Sequence, residues 1–379
     1  MSVYEDPVDG STYPLDVPRW RSDTGRPLWI GPGRGITRDD IDRSTRSLWR
    51  YGAALPVAIE RPITLGEGVT PLLERPWNGG GRPLFKAEWV NPTGSFKDRG
   101  ASVMLSYLRA HDITEVIEDS SGNGGSSVAG YAAAGGMRAT IFAPASTSPG
   151  KIAQVRAYGA RVRLVDGPRE ASQDAAIRRA TGAAFYASHN WQAFFLQGTK
   201  TLAYEIWEDL GFRVPDSVVV PVGAGSILLG CHLGFRELRD AGQIDRMPRL
   251  FAAQPLNCSP LDASVAAGTD ESVPRPVAPT VAEGTAIAHP LRLRQLVAAV
   301  RDSGGGTVAV PEADIVRALD ALCTSGMFVE PTSATAAAAY DRLVVDGRIR
   351  ASDETVVLLS GAGLKAPARV EELLSTVRA

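Results

Sequence analysis

The sequence predicts an α/β protein with a mostly parallel sheet and helices on both faces. Short β-rich runs alternate with helix-length segments from about residue 114 onward, and strands separated by helices form βαβ units. The 379 residues exceed one typical domain, and 44% of them are hydrophobic, which is enough to build a large core.

The predicted strands cover residues 115–118, 140–143, 161–165, 184–187, 217–222, 250–253, 307–310 and 355–360. The predicted helices cover residues 101–109, 150–158, 170–181, 198–210, 227–241, 291–302, 312–325 and 334–345. Residues 78–83 and 268–280 are rich in Gly, Pro, Asp, Ser and Thr, so loops are predicted there.

Composition excludes several classes of function. The net charge of −2 gives no reason to expect a nucleic-acid partner. No apolar run is long enough to cross a membrane, and the first residues lack the basic and apolar pattern of a signal peptide. The three cysteines are far apart, so neither a disulfide framework nor a metal site is predicted. We therefore expect a cytoplasmic protein.

The first candidate site is the run NPTGSFKDRG at residues 91–100. Its Pro and Gly favour a turn, and Ser95 is predicted to cap a helix over residues 101–109. Lys97 would then lie in the first helical turn, where the positive end of the helix disfavours a protonated amine. The chain has only five lysines, so few others compete for a role that requires a nucleophilic primary amine.

Two glycine-rich turns are the next candidates. SSGNGGSS at residues 120–127 follows a predicted strand, and VVVPVGAGS at residues 218–226 leads from a strand into an apolar helix. Such turns present backbone N–H groups that suit an anion. The second turn lacks the third glycine that a dinucleotide site requires. A further run, LLSGAGLK at residues 358–365, places Ser360 at the end of a predicted strand.

Together these runs resemble the lysine motif and the associated turns of the threonine synthase family of pyridoxal-phosphate (PLP) enzymes. This family belongs to the group that contains the tryptophan synthase β subunit and the serine/threonine dehydratases. The resemblance extends from about residue 65 to residue 365 and begins at GEGVTPL, residues 66–72. It implies PLP fold type II, with two open α/β domains and the cofactor in the cleft between them.

The resemblance also implies domain limits and an assembly. Residues 36–92 and 195–379 would form a large cofactor domain, and residues 93–194 a small mobile domain. The expected partners are a small amino-acid substrate and a second copy of the chain in a homodimer.

The resemblance implies a role for each candidate residue. Lys97 would hold pyridoxal 5'-phosphate as a Schiff base, and Asn123 would hydrogen-bond the ring oxygen. Ser360 would face the pyridine nitrogen, where a hydroxyl leaves the ring a weaker electron sink that suits eliminations. The cofactor phosphate would be held by the turn comprising Gly223, Ala224, Gly225 and Ser226. The substrate carboxylate would be held by the turn comprising Ser120, Ser121, Gly124 and Gly125.

The implied function is that of a PLP-dependent lyase. It would carry out β-elimination or β-replacement on a small serine- or threonine-like amino acid through an aminoacrylate-type intermediate, with the Lys97 amine taking the α-proton. Two alternatives stay open: a true threonine synthase acting on O-phosphohomoserine, and a non-catalytic protein that binds PLP or a metabolite. The intact Lys97 motif argues against the second alternative.

Departures from the family pattern argue against phosphohomoserine. The family binds the substrate phosphate partly through an Asn-Ser pair and an arginine, whereas the matching run here is HNWQAFF, residues 189–195. Phe195 therefore replaces the arginine, and His189 and Asn190 replace the pair. Trp191 and the two phenylalanines would line an apolar pocket or belong to the core.

Two smaller departures point the same way: Ala224 replaces an asparagine, and Gly124 replaces a threonine. Arg156 or Arg161 could rebuild the anion site from elsewhere.

None of the four histidines shows ligand spacing, and none is assigned a catalytic role. Glu330, in a run that also resembles a family segment near the ring, is left without a role.

The N-terminal segment, residues 1–35, resembles the small zinc ribbon of many family members. Cysteines of that ribbon are replaced here by Asp6, Asp9, Ser22 and Thr24. Structural zinc needs thiolate or imidazole ligands. A degenerate, metal-free ribbon that is held by packing is therefore predicted.

Overall fold

The computed structural model describes residues 2–147, 149–167, 169–180 and 184–378. The chain forms two compact units. Unit 1 consists of Met1–Val69 and Asn91–Thr201, and unit 2 of Thr70–Val90 and Leu202–Ala379. Each contains a mostly parallel sheet together with helices, so the predicted α/β class is confirmed. No helix among the described residues is both long and apolar enough to cross a membrane.

Elements are numbered in chain order. The strands are β1 (Tyr4–Glu5), β2 (Thr12–Tyr13), β3 (Leu72–Glu74), β4 (Leu84–Lys86), β5 (Glu115–Glu118), β6 (Arg138–Pro144), β7 (Arg161–Val165), β8 (Ala184–Tyr186), β9 (Ser217–Pro221), β10 (Arg249–Pro255), β11 (Gly306–Val310) and β12 (Thr355–Leu358). The helices are α1 (Lys97–Ala110), α2 (Asn123–Ala134), α3 (Pro149–Ala157), α4 (Arg169–Arg179), α5 (Ala193–Thr199), α6 (Thr201–Asp209), α7 (Ser226–Asp240), α8 (Pro260–Ala266), α9 (Leu293–Asp302), α10 (Glu312–Thr324), α11 (Pro331–Val345) and α12 (Pro367–Arg378). Short 3-10 helices lie at Arg38–Asp40, Leu48–Ala54, Asn78–Gly80, Glu88–Val90, Leu256–Cys258, Glu283–Thr285 and Gly363–Lys365.

Unit 1 is built on four parallel strands in the order β7-β6-β5-β8. Ile117 in the middle of the sheet pairs with Thr140 on one side and Tyr186 on the other. Because β5 and β8 are parallel neighbours, the residues that follow them emerge at the same edge of the sheet. Glu118 and the 120–127 turn therefore lie at the edge that also carries residues 187–189.

Unit 2 is built on six strands in the order β11-β10-β9-β12-β4-β3, all parallel except β3, which runs antiparallel to β4. All five residues of β9 are buried, as expected for a central strand of a covered parallel sheet. β9 and β12 are neighbours, with Val219 paired to Val357. The 223–226 turn and Ser360, which follow these two strands, consequently lie at one edge of the sheet.

Local details differ from the sequence prediction at two helix starts. The structure begins α1 at Lys97 with Phe96 as the N-cap residue, and the Ser95 hydroxyl is buried without a hydrogen-bond partner among the described residues, so the predicted Ser95 cap is wrong. The predicted helix at 198–210 is two helices that meet at Lys200. The first of them begins earlier because the Gln192 side chain accepts a hydrogen bond from the Phe194 N–H. The predicted end of the helix at residue 181 lies outside the described residues.

Residues 36–69 pack in unit 1, although the sequence placed residues 36–92 in the large domain. The buried carboxylate of Glu67 gives the physical reason. It accepts hydrogen bonds from Trp49 Nε1 at 3.0 Å, Ser102 Oγ at 2.6 Å and Tyr131 OH at 2.8 Å. The bonds from Ser102 and Tyr131 attach the segment to α1 and α2. The roles of the units as a cofactor domain and a mobile domain stay predictions.

The four positions that replace ribbon cysteines come together in unit 1. Thr24 Oγ1 donates to Asp6 Oδ2 at 3.1 Å, and Ser22 Oγ lies 2.8 Å from Thr24 Oγ1. The Arg26 guanidinium pairs with Asp6 and Asp9 at 3.3 Å each. A hydrogen-bonded ion-pair cluster thus occupies the place that the resemblance assigns to metal ligands.

Candidate active site

Lys97 is the first residue of α1 and is half-buried. Its Nζ lies 4.7 Å from the ring centroid of Phe96 and 5.6 Å from that of Phe195. Phe195 is fully buried on α5, which lies close to α1 because Gly198 has no side chain: a Cβ there would stand 2.1 Å from Arg99 O. The amine therefore lies at a helix start, close to two aromatic rings.

The other lysines have structural contacts or different settings. Lys86 is fully buried and forms 2.7 Å ion pairs with Glu205 and Asp209. Lys200 is buried and donates to the carbonyl of Ala54 at 2.8 Å. The side chain of Lys151 lies outside the described residues. The two carboxylate partners occupy the buried Lys86 amine, which does not suit a role as a nucleophile.

The 120–127 turn opens α2 at Asn123, with Gly122 as the N-cap residue. Two glycines in its first helical turn are required by packing. A Cβ at Gly125 would lie 1.9 Å from the carbonyl oxygen of Ser120, and a Cβ at Gly124 would lie 2.7 Å from Nδ1 of His189. Ser120 and Ser121 are partly exposed beside them. The turn therefore presents backbone N–H groups next to small hydroxyl side chains.

The 223–226 turn opens α7 in unit 2. Gly225 is the N-cap residue and has a φ of 86°, a left-handed conformation that favours glycine. A Cβ at this position would also stand 2.1 Å from Leu296, and one at Gly223 would stand 2.9 Å from the Cα of Thr285. Ala224 is partly exposed between the two glycines, and Ser226 begins the 15-residue helix.

Residues 63–361 match the family model described as "Pyridoxal-phosphate dependent enzyme". The chain belongs to this family. Among curated relatives, the threonine synthase of Methanocaldococcus jannaschii is 33% identical over 88% of this chain and 84% of the relative. The threonine synthase of Mycobacterium tuberculosis strain H37Rv is 32% identical over 84% of this chain and 88% of the relative.

Solved structures agree with this assignment. A fungal L-serine ammonia-lyase from Rhizomucor miehei superposes on this PLP enzyme with a TM-score of 0.72 at 22% identity, over 83% of this chain and 99% of the other. The threonine deaminase of T.th. has a TM-score of 0.63 at 28% identity, over 77% of this chain and 92% of the other. These comparisons confirm the predictions of the family, of fold type II, of the PLP cofactor and of a PLP-dependent lyase.

The residues present suit PLP. Lys97 provides a half-buried primary amine, the group that forms an imine with an aldehyde carbon. The start of α7 supplies N–H groups and a positive helix end for a phosphate, and the partly exposed Ala224 between two glycines keeps the turn open to one. Ser360 offers a hydroxyl at the end of β12. The individual residue roles stay predictions.

Ser360 has a neighbour for which the sequence indicates no role. Glu330, the N-cap residue of α11, accepts a hydrogen bond from Ser360 Oγ at 3.3 Å, and its own N–H donates to the carbonyl of Gly361. Ser333 Oγ lies 3.3 Å from Ser360 Oγ on the other side. The proline that follows Glu330 marks a helix start in the sequence, but only the folded chain shows that this carboxylate reaches Ser360.

The contact between Glu118 and His189 in unit 1 of this PLP enzyme was also not predicted from the sequence. His189 Nδ1 lies 2.7 Å from Oε1 of Glu118, and the His189 N–H donates to Oε2 at 3.0 Å. Burial raises the pKa of Glu118 to about 7, and burial together with the charge of Lys97 lowers the pKa of His189 well below its usual range. Near neutral pH the imidazole is therefore uncharged.

The aromatic residues of the 189–195 run pack against other apolar side chains. Phe194 and Phe195 are fully buried in the core of unit 1, and Trp191 packs edge-on against Trp20 at 5.3 Å. The arginine whose positive charge acts on Glu118 and His189 is Arg169, at the start of α4, rather than Arg156 or Arg161. No motif in the sequence marks Arg169, because its position depends on how α4 packs.

Proposed function

We propose that this enzyme catalyses β-elimination or β-replacement on a small hydroxy- or O-substituted amino acid, such as a serine- or threonine-like substrate. The observation that carries the proposal is the environment of Lys97 in unit 1. The aromatic ring of Phe195 and a neutral imidazole stand where a phosphohomoserine site would require cations, and the buried carboxyl groups of Glu118 and Asp119 lie beside them.

The chain's own groups supply binding and proton transfer. The PLP cofactor, when bound, supplies an electron sink for the pair released from the substrate α-carbon. Lys97 Nζ takes the α-proton. The N–H groups of the 120–127 turn would bind the substrate carboxylate, and Asn123 would hydrogen-bond the ring oxygen of the cofactor. The N–H groups of the 223–226 turn would hold the cofactor phosphate, and Ser360 would hydrogen-bond the pyridine nitrogen.

True threonine synthase activity is the second candidate. It is favoured by the names of the relatives at 33% and 32% identity, and by Arg169, which could contribute a cation to a rebuilt anion site. A non-catalytic binding protein is disfavoured because the chain belongs to an enzyme family and retains Lys97. Homodimer formation and a cytoplasmic location stay predictions that follow from the resemblance.

A substrate panel tests the proposal. Specificity constants are measured for L-serine, L-threonine, O-acetyl-L-serine and O-phospho-L-homoserine, and the products are identified by mass spectrometry. We expect one of the first three to have the highest constant. Phosphohomoserine yielding threonine and phosphate with the highest constant would establish the second candidate instead.

Lys97→Ala is the matched catalytic control for that panel. It should lower turnover at least about 1,000-fold, because the variant loses both the attachment point and the proton acceptor. Borohydride reduction of the wild-type enzyme, followed by peptide mapping, should place the cofactor on residue 97. Attachment at Lys86 would refute this part of the proposal.

A further inference from the structure

Glu118 and His189 form a buried pair at the edge of the unit 1 sheet. Glu118 ends β5 and is fully buried, and His189 follows the neighbouring β8 and keeps 7% of its surface exposed. The carboxylate engages both the ring Nδ1 and the backbone N–H of the same histidine. Two bonds to one partner fix the ring orientation, so that Nε2 points away from Glu118.

The ring lies against the turn that opens α2. The position that a Cβ on Gly124 would occupy is 2.7 Å from Nδ1 and 2.8 Å from Cε1 of His189. The absence of a side chain at residue 124 thus makes room for the imidazole beside the 120–127 turn. Among the described residues, the His189 ring makes one hydrogen bond, through Nδ1 to Glu118.

The Lys97 amine is close enough to the same ring for its positive charge to act on the imidazole. Phe195 is flanked by both, with its centroid 5.6 Å from Lys97 Nζ and 5.7 Å from the centroid of His189. A substrate that presents its α-carbon to Lys97 and its carboxylate to the 120–127 turn would therefore present its β-substituent within this group of residues. This step rests on the proposed function.

We propose that Glu118 and His189 are a proton-transfer pair that protonates the leaving oxygen on the substrate β-carbon. The Cα–H proton goes to Lys97 Nζ, its electron pair forms the Cα=Cβ bond, and the Cβ–O bond breaks with its electrons going to oxygen. His189 Nε2–H gives its proton to that oxygen, and the proton on Glu118 moves to Nδ1. Solvent returns one proton to the pair after the product leaves.

The electrostatic setting suits this exchange. Burial raises the pKa of Glu118 to about 7, so that both protonation states are populated near neutral pH. The charged groups that act on the pair are Lys97 from α1, Arg169 from α4 and Asp119 from the same strand end; Asp119 itself has a raised pKa because of burial and the Glu118 charge. A carboxyl that shares its proton with an imidazole titrates as a pair rather than as two independent groups.

Leaving groups of different basicity provide the kinetic test. His189→Gln and Glu118→Gln are compared with wild type on L-serine, whose hydroxyl needs a proton to leave, and on 3-chloro-L-alanine, whose chloride does not. We expect kcat on serine to fall at least about 100-fold, and kcat on chloroalanine to change less than about 3-fold. His232→Gln, which removes the histidine of the 2.7 Å pair with Asp302 in unit 2, is the matched control and should leave both rates unchanged.

Each other outcome is decisive. Equal losses on both substrates, or no loss on serine, would overturn the proton role while leaving the proposed function intact. If the panel shows that L-threonine is the hydroxy substrate turned over, it replaces L-serine in this test. A wild-type enzyme inactive on L-serine, L-threonine and O-acetyl-L-serine would overturn the proposed function and this inference with it.

Nitrogen NMR of the histidine side chains in the holoenzyme gives a readout independent of activity. The four histidines are assigned by single substitutions. From about pH 5.5 to about pH 8.5, we expect the His189 ring nitrogens of wild type to exchange donor and acceptor character with a midpoint of about 7. Glu118→Gln should abolish this transition because its amide does not titrate. A His189 transition that persists in Glu118→Gln would refute the coupling.

Discussion

The two glycine-rich turns, one in each unit, have different neighbours at their glycines. In unit 2 the spaces beside Gly223 and Gly225 are filled by Thr285 and by the apolar side chain of Leu296. In unit 1 the space beside Gly124 is filled by the polar ring of His189, which is hydrogen-bonded to a buried carboxyl group. Both turns have the same strand–turn–helix form. The turn in unit 2 packs against residues that do not titrate, whereas the turn in unit 1 packs against a titratable side chain.

This difference separates the part of the chain that follows the resembled family from the part that departs from it. Unit 2 keeps the sequence pattern for the cofactor phosphate and for Ser360, apart from Ala224. Unit 1 keeps Lys97 and Asn123, but changes Gly124, His189 and Phe195 together. Because Gly124 and His189 contact each other, their two departures are one structural change rather than two. We infer that the substrate preference, more than cofactor binding, distinguishes this chain.

Alanine substitutions at one glycine in each turn test most directly whether the two turns are packed differently. Gly225→Ala meets both the left-handed φ of 86° and Leu296, so we expect it to lower the free energy of unfolding by about 2 to 5 kcal/mol. Gly124→Ala meets side-chain atoms rather than backbone, namely the His189 ring and Ser120 Oγ, and should cost about 1 kcal/mol. Its main effect should be slower serine turnover, because the ring is displaced. Urea unfolding and steady-state kinetics of both variants measure this; equal stability losses would contradict the distinction.

A negative charge introduced into the 223–226 turn of unit 2 tests whether this turn holds the cofactor phosphate. Ala224 is partly exposed between the two glycines, so a larger side chain can enter there without unfolding α7. Ala224→Asp should weaken PLP binding about 10- to 100-fold through repulsion of the phosphate. Ala224→Asn, whose side chain has the same shape as Asp but no charge, should weaken it far less. Equilibrium dialysis of the two apoenzymes gives the affinities. Similar affinities for Asp and Asn variants would show that this turn does not hold the phosphate.

Much of the fold was readable because its signals are local. β5 and β7 match their predicted limits, and α7 and α10 differ by about one residue from theirs. The three-residue strands β3 and β4 escaped prediction because so short a segment carries no period. The break at Lys200 was not predicted because its own backbone is helical, and only the folded chain shows that α5 ends at Thr199 and α6 begins at Thr201.

The sequence predicts those parts of the candidate site that belong to contiguous motifs. Lys97 and the two turns were found from runs of neighbouring residues, whereas the Glu118–His189 pair joins residues 71 positions apart. Strand adjacency creates that pair, since β5 and β8 are neighbours only in the folded sheet. The contact of Glu330 with Ser360 depends in the same way on α11 packing beside the end of β12. Sequence reasoning could name the segments but not their partners.

The N-terminal ribbon is a third place where unit 1 departs from the family. Asp6 is fully buried, and its hydrogen bonds from Ser22 and Thr24 with the charge of Arg26 outweigh burial and lower its pKa. No cluster of metal-binding residues is found among the described residues. Because Asp6, Asp9, Ser22 and Thr24 supply neither thiolate nor imidazole, purified protein should contain no stoichiometric zinc, and a chelator should leave the unfolding temperature unchanged.

Asp6→Ala should instead destabilise the ribbon by about 1 to 3 kcal/mol, because Arg26 and Thr24 lose their acceptor. Since the folded-state pKa of Asp6 is lowered, its stabilising contribution is present above the pKa of the unfolded chain and is lost as the pH falls through the folded-state pKa. The difference in stability between wild type and Asp6→Ala should thus shrink on acidification. Stoichiometric zinc together with chelator-induced unfolding would show that metal ligands, rather than this ion-pair cluster, hold the ribbon.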